Sequence, residues 1–229
     1  MERAEAIREL KKLVGKDLYK LALKYNITVF NSDTNKKNKG WAGHVIERYL
    51  KLPINSAQSP NFGSWELKVI PIKRLRNGEL QFKETMAITM IDPINVIQHP
   101  FETSHLYSKL RKIVIVTRSI PYKKQLSPSC VLGIHEIDLK PGTSLYNAVK
   151  RDYDIVRQTL KKFYYKYAEN PRLLLTELSS EMGVYIQPRT KGAGHGSFSR
   201  AFYARKNFLR RIINLENLKQ YFVKCHGEF

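Results

Sequence analysis

The chain has 229 residues, of which 42% are hydrophobic, and its 40 Lys and Arg against 20 Asp and Glu give a formal net charge of +20. This length is sufficient for a hydrophobic core in one domain or two closely packed lobes, and no apolar run approaches the ~20 residues that a membrane span needs. RNA, DNA or an anionic membrane surface would each suit this charge, and its size leads us to favour a nucleic acid. Because the charge is not confined to one tail, a simple basic arm on an unrelated core is disfavoured.

The N-terminal segment MERAEAIRELKK is polar and helical in character. It lacks the apolar region of a secretory signal, so we expect a cytoplasmic protein without a membrane partner. The two cysteines, Cys130 and Cys225, are far apart and have no metal-ligand spacing. We predict two ordinary reduced thiols.

Helical periodicity dominates the first 50 residues. Apolar residues at helical spacing predict two short helices within residues 2–25, separated at Gly15. A polar, amine-rich loop at 31–40 leads into a third predicted helix within GWAGHVIERYLKLP, and this helix ends before Pro53. Glu47 lies off the apolar stripe of that helix.

From residue 64 the period changes to two, which predicts a strand with Trp65, Leu67 and Val69 on one face. Glu66, Lys68 and Ile70 occupy the other face. The turn RNGE at 76–79 and the segment 84–91 predict a hairpin whose returning strand is ETMAITMI. Two further apolar strands are predicted at 112–118 and 130–137.

The C-terminal half begins with a predicted long amphipathic helix from Leu145 to Tyr167, and a shorter helix is predicted over 172–182. A strand at 183–189 and a glycine-rich loop at 191–200 come next. The segment 201–222 is predicted to be a basic helix. This order of elements predicts a mixed α/β domain, divided into lobes near residues 140 and 180.

Glu66 and Lys68 are two residues apart on a strand, so their side chains leave the same face roughly 7 Å apart. A carboxylate beside an amine can hold a divalent cation and orient an attacking water. The pattern E-x-K alone has little weight, because ELK recurs at 9–11 and DLK at 138–140. A solvent-exposed ion pair is the alternative, and the neighbouring Asn61 and the upstream Glu47 favour a Mg²⁺ site.

Five ordered blocks carry a family resemblance: KGWAGHVIERYL, NFGSWELKVIP, FETSHLYSKLRKIVIV, YIQPRTKGA and RAFYARKNF. Together, over about residues 39–213, they resemble the MutH mismatch-repair endonuclease family and related restriction endonucleases that cut at GATC. The resemblance implies the PD-(D/E)xK restriction-endonuclease-like α/β fold, with a mixed central sheet flanked by helices and two lobes around a DNA cleft. It implies one domain over 1–229, with a catalytic core at about 39–140 and a DNA-reading part at about 183–213.

The resemblance also implies site residues by position. The catalytic and Mg²⁺-binding set falls on Glu47, Asn61 and Glu66, with Lys68 as the catalytic lysine. DNA contacts are expected from Lys39, Lys109, Arg189, Lys191, Tyr203, Arg205 and Lys206. Asn61 stands where the family has a metal-binding aspartate, and an amide offers only one neutral carbonyl oxygen to the metal. We interpret Asn61 as an inactivating replacement.

These observations predict a type II restriction enzyme that cuts double-stranded DNA at GATC or a related site, with a homodimer possible on the palindrome. A first alternative is a MutH-type repair enzyme that nicks hemimethylated GATC and has a mismatch-repair ATPase as partner. A second alternative is a DNA-binding protein that reads the methylation state without cutting.

Overall fold

The computed structural model describes residues 1–31, 34, 36, 38–52, 64–120, 128–192 and 198–227. Asn61, Pro53 and residues 193–197 of the glycine-rich loop lie outside the described residues. The described chain is a mixed α/β structure with a four-stranded mixed sheet and a three-stranded antiparallel sheet, both flanked by helices. The predicted fold class is confirmed.

The three helices expected in the first 50 residues are present as α1 (Arg3–Lys11), α2 (Leu18–Lys24) and α3 (Trp41–Tyr49). Asp17 caps α2, because its side chain accepts a hydrogen bond from the backbone N–H of Tyr19. The buried faces of the helices form one hydrophobic core with one face of the four-stranded sheet. Its members include Leu10, Leu18, Trp41, Val45, Ile46, Leu67, Val114 and Val116.

The four-stranded sheet begins with β1 (Glu66–Arg74), which forms an antiparallel hairpin with the short β2 (Leu80–Phe82). The prediction that 84–91 returns beside 64–74 is therefore wrong. Residues 86–90 are an independent strand, β3 (Met86–Met90), which belongs to the other sheet. The turn at 76–79 was placed correctly, but the chain pairs for only three residues before it leaves the sheet.

Two predicted strands, β4 (Lys112–Ser119) and β5 (Val131–Asp138), complete this sheet in the order β2-β1-β4-β5. β1 and β4 run parallel, and β4 and β5 run antiparallel. Alternate residues of β4 enter different cores, since Val114 and Val116 pack with the N-terminal helices and Ile113 and Ile115 pack on the opposite face. Both faces of the sheet are therefore covered, as parallel strands require.

The opposite face carries the larger core, to which α4 (Pro93–Gln98), α5 (His105–Leu110) and the long α6 (Ser144–Phe163) contribute. α6 was predicted, whereas the six-residue helices α4 and α5 were not, because they are too short for a periodic signal. The helix expected at 172–182 is instead a 3₁₀ segment, Pro171–Glu177.

The three-stranded sheet has the order β3-β7-β6, with β6 at Ile186–Thr190 and β7 at Arg200–Ala204. The predicted single helix over 201–222 is wrong, because its first residues form the central strand of this sheet. Helical structure follows as α7 (Lys206–Ile212) and α8 (Lys219–His226). Pairing with strands on both sides decided the conformation of residues 200–204.

The prediction of two reduced thiols is also wrong in this structure. The sulfur atoms of Cys130 and Cys225 are 1.97 Å apart and form a disulfide across a sequence separation of 95 residues. α8 brings Cys225 to the end of β4, where its sulfur lies 3.8 Å from the hydroxyl of Ser119. Distance along the chain gave no indication of this contact.

The described residues form eight α-helices. None of their helices combines the length and the hydropathy needed to cross a lipid bilayer.

Asp152 on α6 fixes the start of β6. Its carboxylate is buried and accepts hydrogen bonds from three successive backbone N–H groups, those of Val184, Tyr185 and Ile186, at 2.7–2.9 Å. The preceding Gly183 has φ +75°, and a Cβ atom there would lie 2.0 Å from the carbonyl oxygen of Ile186. Asp152 and Gly183 together determine where the strand begins.

We expect Asp152→Asn to destabilise the protein by about 2 kcal/mol, because an amide cannot accept all three backbone hydrogen bonds. Thermal unfolding should show a fall in Tm of roughly 4–8 °C. Asp154→Asn, a neighbour on the same helix, is the matched control and should change Tm by less than about 2 °C. Equal Tm values for the two variants would contradict a clamping role for Asp152.

Candidate active site

The predicted pair Glu66 and Lys68 lies at the start of β1, on the face of the sheet that also carries Ile70. The Nζ atom of Lys68 is 2.7 Å from Oε1 of Glu66, and the Glu66 side chain is only 1% exposed. Along this part of β1 the described partner strand is β4, since the β2 pairing covers only Ile72–Arg74. The pair is a largely buried ion pair at a sheet edge, so the alternative of a solvent-exposed ion pair does not hold.

Lys109 joins this pair from α5. Its Nζ atom is 3.4 Å from both carboxylate oxygens of Glu66, and the residue is 6% exposed. Burial lowers the pKa of Lys109, the charges of Lys68 and Lys191 lower it further, and the Glu66 carboxylate partly offsets the shift. The capping of α5 by Ser104, whose hydroxyl accepts from the N–H of Tyr107, positions this lysine.

Glu47 approaches from α3. Burial raises the pKa of Glu47, and the charge of Glu66 adds to the effect, while His44 and Lys68 oppose it. Its Oε2 atom is buried and makes no hydrogen bond to any residue that the structure describes. A buried carboxylate oxygen of this kind is suited to a cation, because leaving it without a partner is unfavourable.

The fit to Mg²⁺ therefore rests on Glu47 and Glu66. Among the described residues no group of three or more His, Cys, Asp or Glu side chains is arranged to hold a metal ion. The third predicted ligand, Asn61, lies outside that part of the chain. Since Mg²⁺ keeps several waters and often takes one or two carboxylates together with a phosphate, the two described carboxylates fit it.

A cavity of about 180 Å³ opens between α3 and β1, and it has room for a hydrated cation and a phosphate group. The predicted residues Lys39, Glu47 and Lys68 line it. Glu84 and Arg118 also line it, and neither residue was predicted from the sequence. A charged residue at the end of the apolar strand KIVIVTR was the available signal for Arg118.

Three of the predicted DNA contacts, Arg189, Lys191 and Tyr203, lie on or next to the three-stranded sheet. Arg189 at the end of β6 is exposed and donates from Nη1 to Oγ1 of Thr85 at 2.8 Å. Its guanidinium lies 5.5 Å from the ring centre of Tyr203 on β7. Lys191 follows β6 and lies close enough to Lys109 to lower its pKa. Arg189 and Tyr203 are therefore in contact, and Lys191, two residues after Arg189, lies on the side of Lys109.

The remaining two predicted DNA-binding residues, Arg205 and Lys206, have different surroundings. The guanidinium of Arg205 donates to the backbone carbonyls of Ser180 and Met182, at 2.6 and 3.3 Å, so it serves as a local structural tie. Lys206, the first residue of α7, is partly buried, and its pKa is lowered by that burial and by Lys73 and Arg210. A role in DNA binding stays a prediction for both residues.

Known proteins with similar sequences include DNA mismatch repair proteins and a type II restriction enzyme. A family model described as the DNA mismatch repair enzyme MutH matches residues 50–139. The type II restriction enzyme Sau3AI of Staphylococcus aureus is 25% identical over 213 residues, which cover 90% of this chain and 39% of the relative. The MutH mismatch repair protein of Haemophilus ducreyi is 28% identical over 230 residues, covering 92% of each chain, and that of Pasteurella multocida is 24% identical over 198 residues, covering 78% and 80%.

These matches confirm the predicted resemblance to MutH and to type II restriction endonucleases. The chain spans well under half of Sau3AI and nearly all of the Haemophilus ducreyi protein. The matched segment 50–139 contains β1, α5 and β4, and so includes the Glu66, Lys68 and Lys109 cluster.

The raised pKa of Glu47 has a measurable consequence. The folded protein holds the Glu47 proton more tightly than the unfolded chain does, so stability falls as pH rises from the ordinary glutamate pKa of 4.5 through the raised pKa of the folded state. Glu47→Gln removes this loss, and we expect its Tm to exceed that of the parent by on the order of 2 °C at pH 7–8. At pH values below this window the two proteins should have equal Tm. The exposed Glu5→Gln is the control, and a Glu47→Gln advantage that persists unchanged at pH 4 would contradict the assignment.

Proposed function

We propose that this relative of MutH and the type II restriction endonucleases is a Mg²⁺-dependent, sequence-specific endonuclease that cuts double-stranded DNA at GATC or a closely related site. The observation that carries the proposal is the buried Glu66 carboxylate, contacted by Lys68 at 2.7 Å and by Lys109 at 3.4 Å, with Glu47 nearby. Two carboxylates and two amines at one sheet edge match the requirements of phosphodiester hydrolysis.

In this proposal Glu47 and Glu66 bind the metal together with residue 61. Mg²⁺, when bound, supplies Lewis-acid polarisation of the phosphate and a water of lowered pKa. The ammonium of Lys68 donates to the attacking water or to a nonbridging oxygen and so orients the reacting groups. Lys109 balances the negative charge of Glu66, which is otherwise unfavourable in a buried site.

DNA is the proposed partner, because the +20 charge provides nonspecific attraction through counterion release. Lys39 beside the cavity is suited to a backbone phosphate. Arg189 and Lys191 are suited to the edges of bases, since bidentate contact of arginine with guanine is the commonest specific contact in the major groove. Tyr203, packed beside Arg189, is proposed to lie near the adenine that carries the methylation mark.

Between the two enzyme classes we favour a cytoplasmic restriction enzyme that works on DNA as a homodimer. A protein that binds DNA without a recruiting partner needs an electrostatic affinity of its own, and this chain has a large positive charge. The rival enzyme, a repair endonuclease recruited by a mismatch-repair ATPase, predicts single-strand nicks at hemimethylated sites.

A non-cleaving reader of DNA methylation is the second candidate, and the asparagine at position 61 favours it. One neutral amide oxygen in place of a carboxylate weakens metal binding. The retention of Glu47, Glu66 and Lys68 favours an enzyme that this one replacement impairs.

We expect Asn61→Asp to raise the rate of Mg²⁺-dependent cleavage by at least about 10²-fold, because it restores an anionic ligand. The substrates are supercoiled plasmids with unmethylated, hemimethylated and fully methylated GATC sites, and EDTA should abolish the activity. The matched control combines Asn61→Asp with Lys68→Met, which should be inactive.

Linear product would support the restriction enzyme, and open circles formed only at hemimethylated sites would support the repair enzyme. Tight site-specific binding with no cleavage by Asn61→Asp would support the reader. If Asn61→Asp shows no site-specific binding and no cleavage, the proposed function is overturned altogether.

Arg189→Ala tests whether Arg189 contacts the edges of bases. We expect its affinity for a GATC duplex to fall by about 10–100-fold and its affinity for a scrambled duplex to change little, because base contacts discriminate and phosphate contacts do not. Fluorescence anisotropy with both duplexes measures this ratio. The exposed Arg172→Ala is the charge-matched control, and an equal loss on both duplexes would count against base reading by Arg189.

A further inference from the structure

Arg118 lies near the end of β4, beside the proposed centre. It lines the cavity that Lys39, Glu47 and Lys68 also line. Its register partner on β1 is Pro71, so it lies on the α3 side of the four-stranded sheet. The Glu66–Lys109 contact lies on the opposite side. Arg118 is therefore adjacent to the charge cluster without belonging to it.

The guanidinium of Arg118 has no carboxylate within 4.0 Å among the residues that the structure describes. Burial lowers its pKa, and the charges of Tyr19 and Glu84 oppose that shift. A largely buried cation without a close counter-ion is unfavourable, since the loss of hydration is not repaid by an ion pair. An anionic ligand in the adjoining cavity would remove this penalty.

Arg118 is also held in a fixed orientation. Its guanidinium stacks over Trp41 at 5.2 Å from the ring centre, and Trp41 stacks in turn on Tyr19 with centroids 4.7 Å apart. Nη1 donates to Oγ of the buried Ser129 at 2.9 Å, and that hydroxyl donates to the carbonyl of Ser119 at 2.8 Å. Stacking of this kind orients the planar fork of an arginine in advance, which suits bidentate recognition of a phosphate.

The lining of the cavity carries more cationic than anionic side chains. Lys39, Lys68 and Arg118 contribute three cations, and the N-terminus of the nine-residue α3 lies at its edge, next to Gly40. Glu47 and Glu84 supply the two negative charges. We propose that Arg118 binds a nonbridging oxygen of a backbone phosphodiester on the DNA strand held at the proposed centre. This inference rests on the proposed function and adds a contact that the family resemblance did not assign.

The test compares Arg118→Met with Arg8→Met, which removes the same charge from an exposed position on α1. Binding of the parent chain to a GATC duplex is measured by fluorescence anisotropy without metal, at salt concentrations from about 50 to 200 mM. We expect Arg118→Met to bind about 10-fold more weakly and to reduce the slope of log K against log salt by about one. Arg8→Met should match the parent in both.

A third variant distinguishes the loss of a phosphate contact from a defect in folding. Arg118→Lys keeps the charge but loses the planar fork, so we expect a salt slope like that of the parent and an affinity between those of the parent and Arg118→Met. Thermal unfolding of each variant checks that it is folded.

If Arg118→Met has the same affinity for the duplex and the same salt slope as the parent, the role of Arg118 is overturned. The proposed function is then left intact. The role of Arg118 is also overturned if Arg118→Met is misfolded and Arg118→Lys binds the duplex like the parent. A parent chain that binds no duplex would overturn the proposed function and this inference with it.

Discussion

A buried carboxylate between two lysines is the interaction on which the rest of the candidate site depends. Glu66 is 1% exposed and is contacted by Lys68 from its own strand and by Lys109 from α5. Removing such charges from water costs several kcal/mol for each ion, and the attraction between them returns this only when the geometry is good. A hydrophobic cluster would stabilise the same position at least as well, so the charges are better explained by chemistry than by stability.

The sheet architecture allows side chains from both faces of the sheet to approach that cluster. β2 covers only the far end of β1, and the described chain leaves the edge beside Glu66 and Lys68 without a second partner strand. Side chains from both faces can therefore meet there, which explains how Glu47 on α3 and Lys109 on α5 influence the same carboxylate. A fully paired strand would keep the two faces apart.

The two sheets are joined by a very short connection, and this places the proposed reading residues near the proposed chemistry. β2 ends at Phe82 and β3 begins at Met86, so residues 83–85 alone link the sheets at this point. Thr85 in that link accepts a hydrogen bond from Arg189. The charge of Lys191, just beyond β6, contributes to the lowered pKa of Lys109. The proposed base-contacting residues and the proposed catalytic residues would therefore be held close together by this connection. Asp152 fixes the start of β6, which carries Arg189.

The sequence by itself determined the features that depend on short-range pattern. The period-two alternation of β1 put Glu66 and Lys68 on one face, and the apolar stripe of α3 put Glu47 off its buried side. Tertiary structure decided the conformation of residues 200–204, the partner of β1 after the turn, the Cys130–Cys225 bond and the approach of Lys109 and Arg118 to the site. Each of these depends on which distant segments pack together, and a local periodicity carries no information about that.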